Sequence, residues 1–256
     1  MKVVILAGGL GTRLGERSVD IPKPMVPIGG RPILWHIMRI YAHYGLTDFV
    51  LCLGYKGELI KDYFLHYQAR NSDCTVDLST GQVTYHQEQR SDWTVTLADT
   101  GLSTLKGARL KRVEDYLTDQ TNLLTYGDGV ADVDIPALIA HHKRMGKTVT
   151  LTGVHPPARF GALTIEGDLV TAYEEKGQAG AGLINGGFMV FEKELLSRLS
   201  ADEDCDLEYG VFEKLAAERE IAVYRHPGQW ACMDHERDVA HLESLWRAGK
   251  AFWRVW

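Results

Sequence analysis

The stretch VVILAGGLGTRL, residues 3–14, runs from an apolar segment into Gly8, Gly9 and Gly11 and carries one fixed charge, Arg13. A backbone with so few side chains can wrap its N–H groups around an anion, and a guanidinium beside it adds a forked, permanent positive charge. About ten residues on, IPKPMVPIGG holds Lys23 between Pro22 and Pro24, a stiff mounting that suits a lysine to a phosphate. Taken alone the glycines also read as a plain tight turn after a strand; Lys23 favours the phosphate loop. A dinucleotide fingerprint fails because Leu14 stands where its third glycine belongs. A Walker loop fails because the only G-K-T, Gly146 to Thr148, has His141 in place of the upstream glycine. What remains is a glycine loop around a nucleotide triphosphate, with Arg13 and Lys23 as cations.

Asp128 lies in YGDG, where a strand ends between glycines, at the C-terminal edge where open α/β sheets place ligand groups. Asp234 in ACMDHERD stands just before the last helical pattern and can serve as a helix N-cap. His235-Glu236 has Val239 where a zinc-binding second histidine would stand, and His36, His66, His141 and His142 read as ordinary helix or surface residues. Cys52, Cys74, Cys205 and Cys232 are far apart and form no C-x-x-C pair, which points to a reducing cytoplasm. A net charge of −6 with no basic run argues against nucleic acid as a partner. The apolar N-terminal run is too short for a signal peptide, and no stretch is long enough to span a membrane.

These residues need a frame. Lys2–Ala7 and Asp48–Tyr55 read as buried strands, with amphipathic helices around Ile33–Tyr44 and Leu59–Tyr67. Residues 73–113 turn to short Thr/Val pieces that read as hairpins or an ordered loop. The parallel pattern resumes with a strand over Thr121–Gly129, a helix from Asp134 to Met145 stopped by Gly146, and a strand over Thr148–Val154. A hairpin turns at Gly167-Asp168, Asn185–Phe191 is a strand, and Val239, Leu242, Leu245 and Trp246 mark a closing helix. The expectation is α/β: a Rossmann-like, mostly parallel sheet with helices on both faces and β-hairpin insertions, in one domain over residues 1–256.

LAGGLGTRL followed by PKPMVPIGGRPIL resembles the signature of the sugar-1-phosphate nucleotidyltransferases. GYKGELIKDYF, WTVTLADTG, GARLKRV, TYGDGVADVDI, RFGAL, INGGF and MDHERD resemble one branch of them, the glucose-1-phosphate cytidylyltransferases, and the likeness runs the length of the chain. The resemblance implies that CTP and α-D-glucose 1-phosphate are joined into CDP-glucose with release of pyrophosphate, for nucleotide-sugar and polysaccharide synthesis. It implies a nucleotide site of Leu6, Ala7, Gly8, Gly9, Gly11, Thr12, Arg13, Lys23, Thr104, Arg109 and Gly127. Mg²⁺ would be held by Asp128 and Asp234, and Arg13, Lys23 and both acids would serve catalysis. Glu175, Lys176 and Asn185 would bind the sugar phosphate, in a cytoplasmic homo-oligomer. The family usually follows its glutamate-lysine pair with proline; here Gly177 follows Lys176, and Ala231, Cys232 and His235 also depart from the pattern. Another sugar 1-phosphate, or UTP or dTTP, stays open, as does a non-catalytic relative that binds nucleotide sugar. Retention of Arg13, Lys23, Asp128, Lys176 and Asp234 disfavours the last.

Overall fold

The computed structural model describes residues 1–11, 14, 20–86, 91–156, 162–166, 169–174 and 182–256, with the backbone alone for 162–166 and 172–174. A 7-stranded sheet forms the centre. Its strands are Val3–Leu6 (β1), Asp48–Leu53 (β2), Thr94–Asp99 (β3), Asn122–Tyr126 (β4), Val149–Val154 (β5), Ile184–Phe191 (β6) and Ile221–Arg225 (β7). Across the sheet the order is β7-β5-β6-β4-β1-β2-β3. β1 pairs in parallel with β2 and β4, β2 with β3, and β5 with β7, whereas β6 runs antiparallel to β4 and β5. This is the expected mostly parallel α/β architecture.

The helices that matter for the site are Ile33–His43 (α1), Gly57–Leu65 (α2), Lys106–Arg112 (α3), Ile135–Met145 (α4) and Glu236–Arg247 (α5). Strand alternation divides the core in two. Val3, Ile5, Phe49 and Leu51 face α1, α4 and α5 through Ile37, Leu138 and Leu242, with Trp253 of the C-terminal segment sealing that layer. Val4, Leu6, Val50 and Leu124 face the other way, onto Leu110 of α3 and onto Leu195, Phe212 and Leu215. β1 is therefore covered on both sides, which is why it reads as an unbroken apolar run. Helix punctuation follows the sequence: Asp134 accepts from the Ala137 N–H at 2.9 Å, and Gly146 ends α4 at φ 57°, in the left-handed region.

Three expectations need correction. Residues 73–86 do form a hairpin, Asp73–Asp77 against Gln82–His86, but β3 joins the central sheet and α3 follows it. As an edge strand, β3 is only partly buried, so it lacks the apolar run that marks a central parallel strand. The N-cap position of α5 is His235, not Asp234; the Asp238 carboxylate accepts from the backbone N–H groups of both, at 3.0 Å from Asp234 and 2.7 Å from His235. His36 and His142, read as ordinary helix or surface residues, are buried, at 0% and 1% exposed.

The chain lays down β1, β2 and β3 toward one edge, then returns to place β4 on the other side of β1. That reversal makes a topological switch point at the C-terminal ends of β1 and β4, the place where open α/β sheets hold their ligands in a crevice. Among the described residues no helix is long and apolar enough to cross a membrane.

Candidate active site

The glycine segment leaves β1 directly into this crevice. The Ala7 N–H donates to the Cys52 carbonyl at 3.0 Å, and the Gly127 N–H to the Leu6 carbonyl at 3.1 Å, tying the segment to both neighbouring strands. Gly8 is buried, and a Cβ there would stand 2.2 Å from Arg109 Nη1, so no larger residue fits without moving the guanidinium. Gly9 is exposed, with nothing among the described residues near its would-be Cβ, and Gly11 takes φ 65°. Buttressed beneath and bare above, this backbone can approach a ligand closely.

Arg109 supplies the buttress. It is 4% exposed, and its terminal nitrogens donate to the carbonyls of Leu53 at 3.0 Å, Gly101 at 2.8 Å, Gly8 at 3.0 Å and Leu102 at 3.2 Å, and to the Thr100 hydroxyl at 2.8 Å. Those acceptors lie at the end of β2 and just beyond the ends of β1 and β3, so one side chain clamps three strand ends. Burial pulls its pKa down from the ordinary arginine value, with carbonyl dipoles in place of a counter-ion. Thr104 is buried too, and its hydroxyl accepts from Arg112 Nη1 at 2.9 Å. The structure thus directs these two side chains to protein partners inside the loops.

Lys23 presents the opposite case. Its Nζ lies 2.6 Å from Asp128 Oδ2 and 2.7 Å from Asp234 Oδ1. Burial works against the ammonium, but the two carboxylates outweigh it and raise the lysine pKa above its ordinary value. The acids, 106 residues apart by their numbers, are joined by a short ladder: Gly129–Ala131 pairs antiparallel with Trp230–Cys232, and the Met233 N–H donates to the Asp128 carbonyl at 2.9 Å. Asp128 and Asp234 flank one end of that ladder. Cys232 Sγ donates to Asp234 Oδ2 at 3.6 Å, and burial, reinforced by Asp234 and Asp128, pushes its thiol up to about 12.

The loop that carries Lys23 is braced from behind. His36 Nε2 donates to the Ile28 carbonyl at 2.8 Å, Trp253 Nε1 donates to His36 Nδ1 at 3.3 Å, and the Gly29 N–H donates to Glu243 Oε2 at 2.7 Å. Gly29 has φ 58° and packs so closely on Trp246 that a Cβ would overlap the indole. α1, α5 and the C-terminal segment thereby fix the Lys23 mounting.

Could the acids hold a divalent cation? Two carboxylate oxygens already surround one cationic point, the Lys23 ammonium, and a hard oxygen pair suits an ion that keeps water and substrate oxygens as its other ligands. Among the described residues no cluster of three or more His, Cys, Asp or Glu residues forms a closed metal cage. The donor set fits Mg²⁺ shared with a phosphate.

Asn185 lies at the start of β6, half-buried. Its Nδ2 donates to the Tyr126 hydroxyl at 3.0 Å, and its Oδ1 accepts from the Gly187 N–H at 3.0 Å. Tyr126 in turn donates to Glu208 Oε1 at 2.5 Å, which also meets Lys106 Nζ at 2.6 Å. Sequence reasoning missed Tyr126, Glu208 and Lys106. The position of Tyr126 directly before Gly127-Asp128 was a usable signal; nothing in the sequence near Glu208 linked it to β4. Thr12, Arg13, Glu175 and Lys176 lie outside the described residues.

Comparison with known proteins agrees with this geometry. The family model described as "Nucleotidyl transferase" matches residues 2–253. The chain is 48% identical over 257 residues to a glucose-1-phosphate cytidylyltransferase of Salmonella typhi, covering 100% of both chains. It is 43% identical over 256 residues to a probable glucose-1-phosphate cytidylyltransferase of Bacillus subtilis, again covering 100% of both. Among solved structures, HddC from Yersinia pseudotuberculosis superposes with a TM-score of 0.67 at 24% identity, covering 96% of this chain and 99% of that one. A UDP-glucose pyrophosphorylase complexed with UDP-glucose gives 0.67 at 14% identity, covering 97% and 98%; these two likenesses speak to the fold. With a sheet that switches direction at β1 and β4, a bare loop over that point and a match across nearly its whole length, the chain belongs to the nucleotidyl transferase family.

Proposed function

We propose that the chain is a Mg²⁺-dependent glucose-1-phosphate cytidylyltransferase, joining CTP and α-D-glucose 1-phosphate into CDP-glucose and pyrophosphate. One observation carries the reaction type: Lys23, Asp128 and Asp234 converge beside the glycine loop at the switch point of the sheet. The choice of CTP and glucose 1-phosphate rests on the full-length likeness to relatives bearing that name.

An oxygen of the sugar phosphate attacks the α-phosphorus of CTP in line, the new P–O bond forms, and the bond to the bridging β-phosphate oxygen breaks with release of pyrophosphate. Such a transfer asks the protein for positioning and charge neutralisation more than for covalent chemistry. Leu6, Ala7, Gly8, Gly9, Gly11 and Thr12 offer backbone to the triphosphate, with Gly127 beside them. Arg109 and Thr104 serve the nucleotide by holding that backbone. Lys23, kept protonated by its two carboxylates, turns to the departing phosphates with Arg13. Asp128 and Asp234 would hold Mg²⁺, which supplies Lewis-acid stabilisation of phosphate charge. Glu175, Lys176 and Asn185 take the sugar phosphate.

We further propose one domain over residues 1–256, acting as a homo-oligomer in the cytoplasm. Pyrophosphate release tests the reading. The assay runs CTP, UTP, dTTP and ATP with glucose 1-phosphate and Mg²⁺, then other sugar 1-phosphates with the best nucleotide. Preference for CTP with glucose 1-phosphate supports it; preference for another pair overturns the specificity and keeps the reaction; no release with any pair overturns both.

A further inference from the structure

Behind Asn185 runs a chain of hydrogen bonds whose direction is fixed by chemistry. Glu208 is a carboxylate beside the Lys106 ammonium, 2.6 Å away, and can only accept. The Tyr126 hydroxyl at 2.5 Å must therefore donate its single proton to Glu208, which leaves the phenolic oxygen only lone pairs to offer Asn185. At the other end of the amide, the Gly187 N–H at 3.0 Å can only donate. Both constraints force the same amide orientation, Nδ2 toward Tyr126 and Oδ1 toward Gly187. Among the described residues one Nδ2–H and one Oδ1 lone pair of this half-buried side chain have no partner.

The elements in this relay are themselves held. Asp206 Oδ1 accepts from the backbone N–H groups of Glu208 at 2.8 Å and Tyr209 at 3.0 Å, setting the turn that aims Glu208. Gly187 has φ 90°, and a Cβ there would strike the Tyr126 ring at 2.7 Å, so the phenol packs flush on the backbone whose N–H it helps to align. Lys106 lies 5.4 Å from the centroid of the same ring. Among the described residues Glu208 Oε2 is buried with no hydrogen-bond partner, and Oε1 carries both contacts. Burial and the neighbouring Glu208 charge raise the Tyr126 pKa, keeping the phenol protonated.

We propose that Glu208, acting through Tyr126, is a positioning residue that fixes the polarity of the Asn185 amide, so that the enzyme presents an N–H donor to one sugar hydroxyl and discriminates between sugar epimers by it. This rests on the reading that Asn185 faces the sugar phosphate. An epimer that moves the hydroxyl away leaves that donor unpaired, which is how a polar site rejects the wrong sugar. An amide at Glu208 would keep its oxygen toward Lys106 and still accept from Tyr126, whereas removal of the carboxyl group frees the phenol to turn its proton toward Asn185 and leaves only the Gly187 N–H to orient the amide.

The test is steady-state kinetics of Glu208→Ala and Tyr126→Phe with CTP and with glucose or galactose 1-phosphate, repeated in an Asn185→Ala background. Both variants should raise KM for glucose 1-phosphate about tenfold, the weight of roughly one hydrogen bond. KM for CTP should stay within about twofold, and the preference for glucose over galactose should shrink by a similar factor. In the Asn185→Ala background neither should change the sugar KM further. Equal rises in both KM values, an unchanged epimer preference or additive effects with Asn185→Ala would overturn the proposal. Tyr126→Phe keeps the ring on Gly187 and carries the test if Glu208→Ala fails to fold. Where the wild type prefers another substrate pair, the functional reading fails and the relay is judged on that pair; a wild type that turns over no pair overturns both.

Discussion

Arg109 and Lys23 both serve the C-terminal ends of the central strands, but their surroundings differ in kind. Arg109 directs its terminal N–H groups to neutral carbonyls and one hydroxyl, deep under the glycine loop. Lys23 meets two carboxylates at the mouth of the crevice. The Arg109 bonds to Leu53, Thr100 and Gly8 are buried, out of reach of anything that enters the crevice. The carboxylates around Lys23 are ligands a divalent cation also wants, so on the proposed function that ion pair exchanges. One cation builds the loop; the other, on the same proposal, takes part in what the loop binds.

That contrast breaks most visibly at Lys23. Replacing it by methionine should lower turnover about a hundredfold or more, in line with losing a charge partner of the transition state, while the thermal midpoint moves little. The same variant should bind Mn²⁺ more tightly than the wild type, because the competing ammonium has gone. Weaker Mn²⁺ binding by calorimetry would contradict the idea of a shared carboxylate pair. At Arg109 the damage should fall on the fold. An ammonium cannot replace a planar fork that spans three strand ends, so Arg109→Lys strands buried carbonyls and should cost about 3 kcal/mol, read as a thermal midpoint lower by about 6–10 °C. A midpoint within a degree of wild type would remove its role as buttress.

A smaller effect sharpens the comparison from behind Lys23. Burial, opposed by the Ile28 carbonyl and Glu243 and assisted by Arg31, lowers the His36 pKa from 6.5 to about 4. The folded chain therefore resists a proton that the unfolded chain accepts. Stability should be full above pH 6.5 and fall as pH drops through that value toward 4, by about 1.4 kcal/mol per pH unit across the window. Urea titrations at pH 7, 6 and 5 should show this slope, and His36→Gln, which keeps an N–H for Ile28, should flatten it. An unchanged slope in the variant would place the titration elsewhere.

The parts legible in the sequence are those where the local chain states its own constraint. β1 is apolar at every position because both faces are covered, and Lys23 stands between prolines because its mounting must be stiff. Asp134 and Gly146 bracket α4 by local capping chemistry. The rest depends on partners far along the chain. The ladder of Gly129–Ala131 with Trp230–Cys232, which unites Asp128 and Asp234, is too short to carry a periodicity. β3 hides because an edge strand need not be uniformly apolar. Arg109 is marked in the sequence only through the resemblance, as a nucleotide residue, and Glu208 not at all; they become buttress and relay only when three strand ends, or β4 and the 206–209 turn, meet around them.

The central claim is that Asp128, shared between Lys23 and a divalent cation, belongs to the centre that transfers the cytidylyl group. The most direct test is formation of CDP-glucose from CTP and glucose 1-phosphate with Mg²⁺, followed by mass spectrometry for the wild type and for Asp128→Asn. The expected result is CDP-glucose and pyrophosphate in equal amounts from the wild type, and a rate lower by about a hundredfold or more in a variant that melts like the wild type. No CDP-glucose from the wild type, or a variant within about tenfold of it, would contradict the claim.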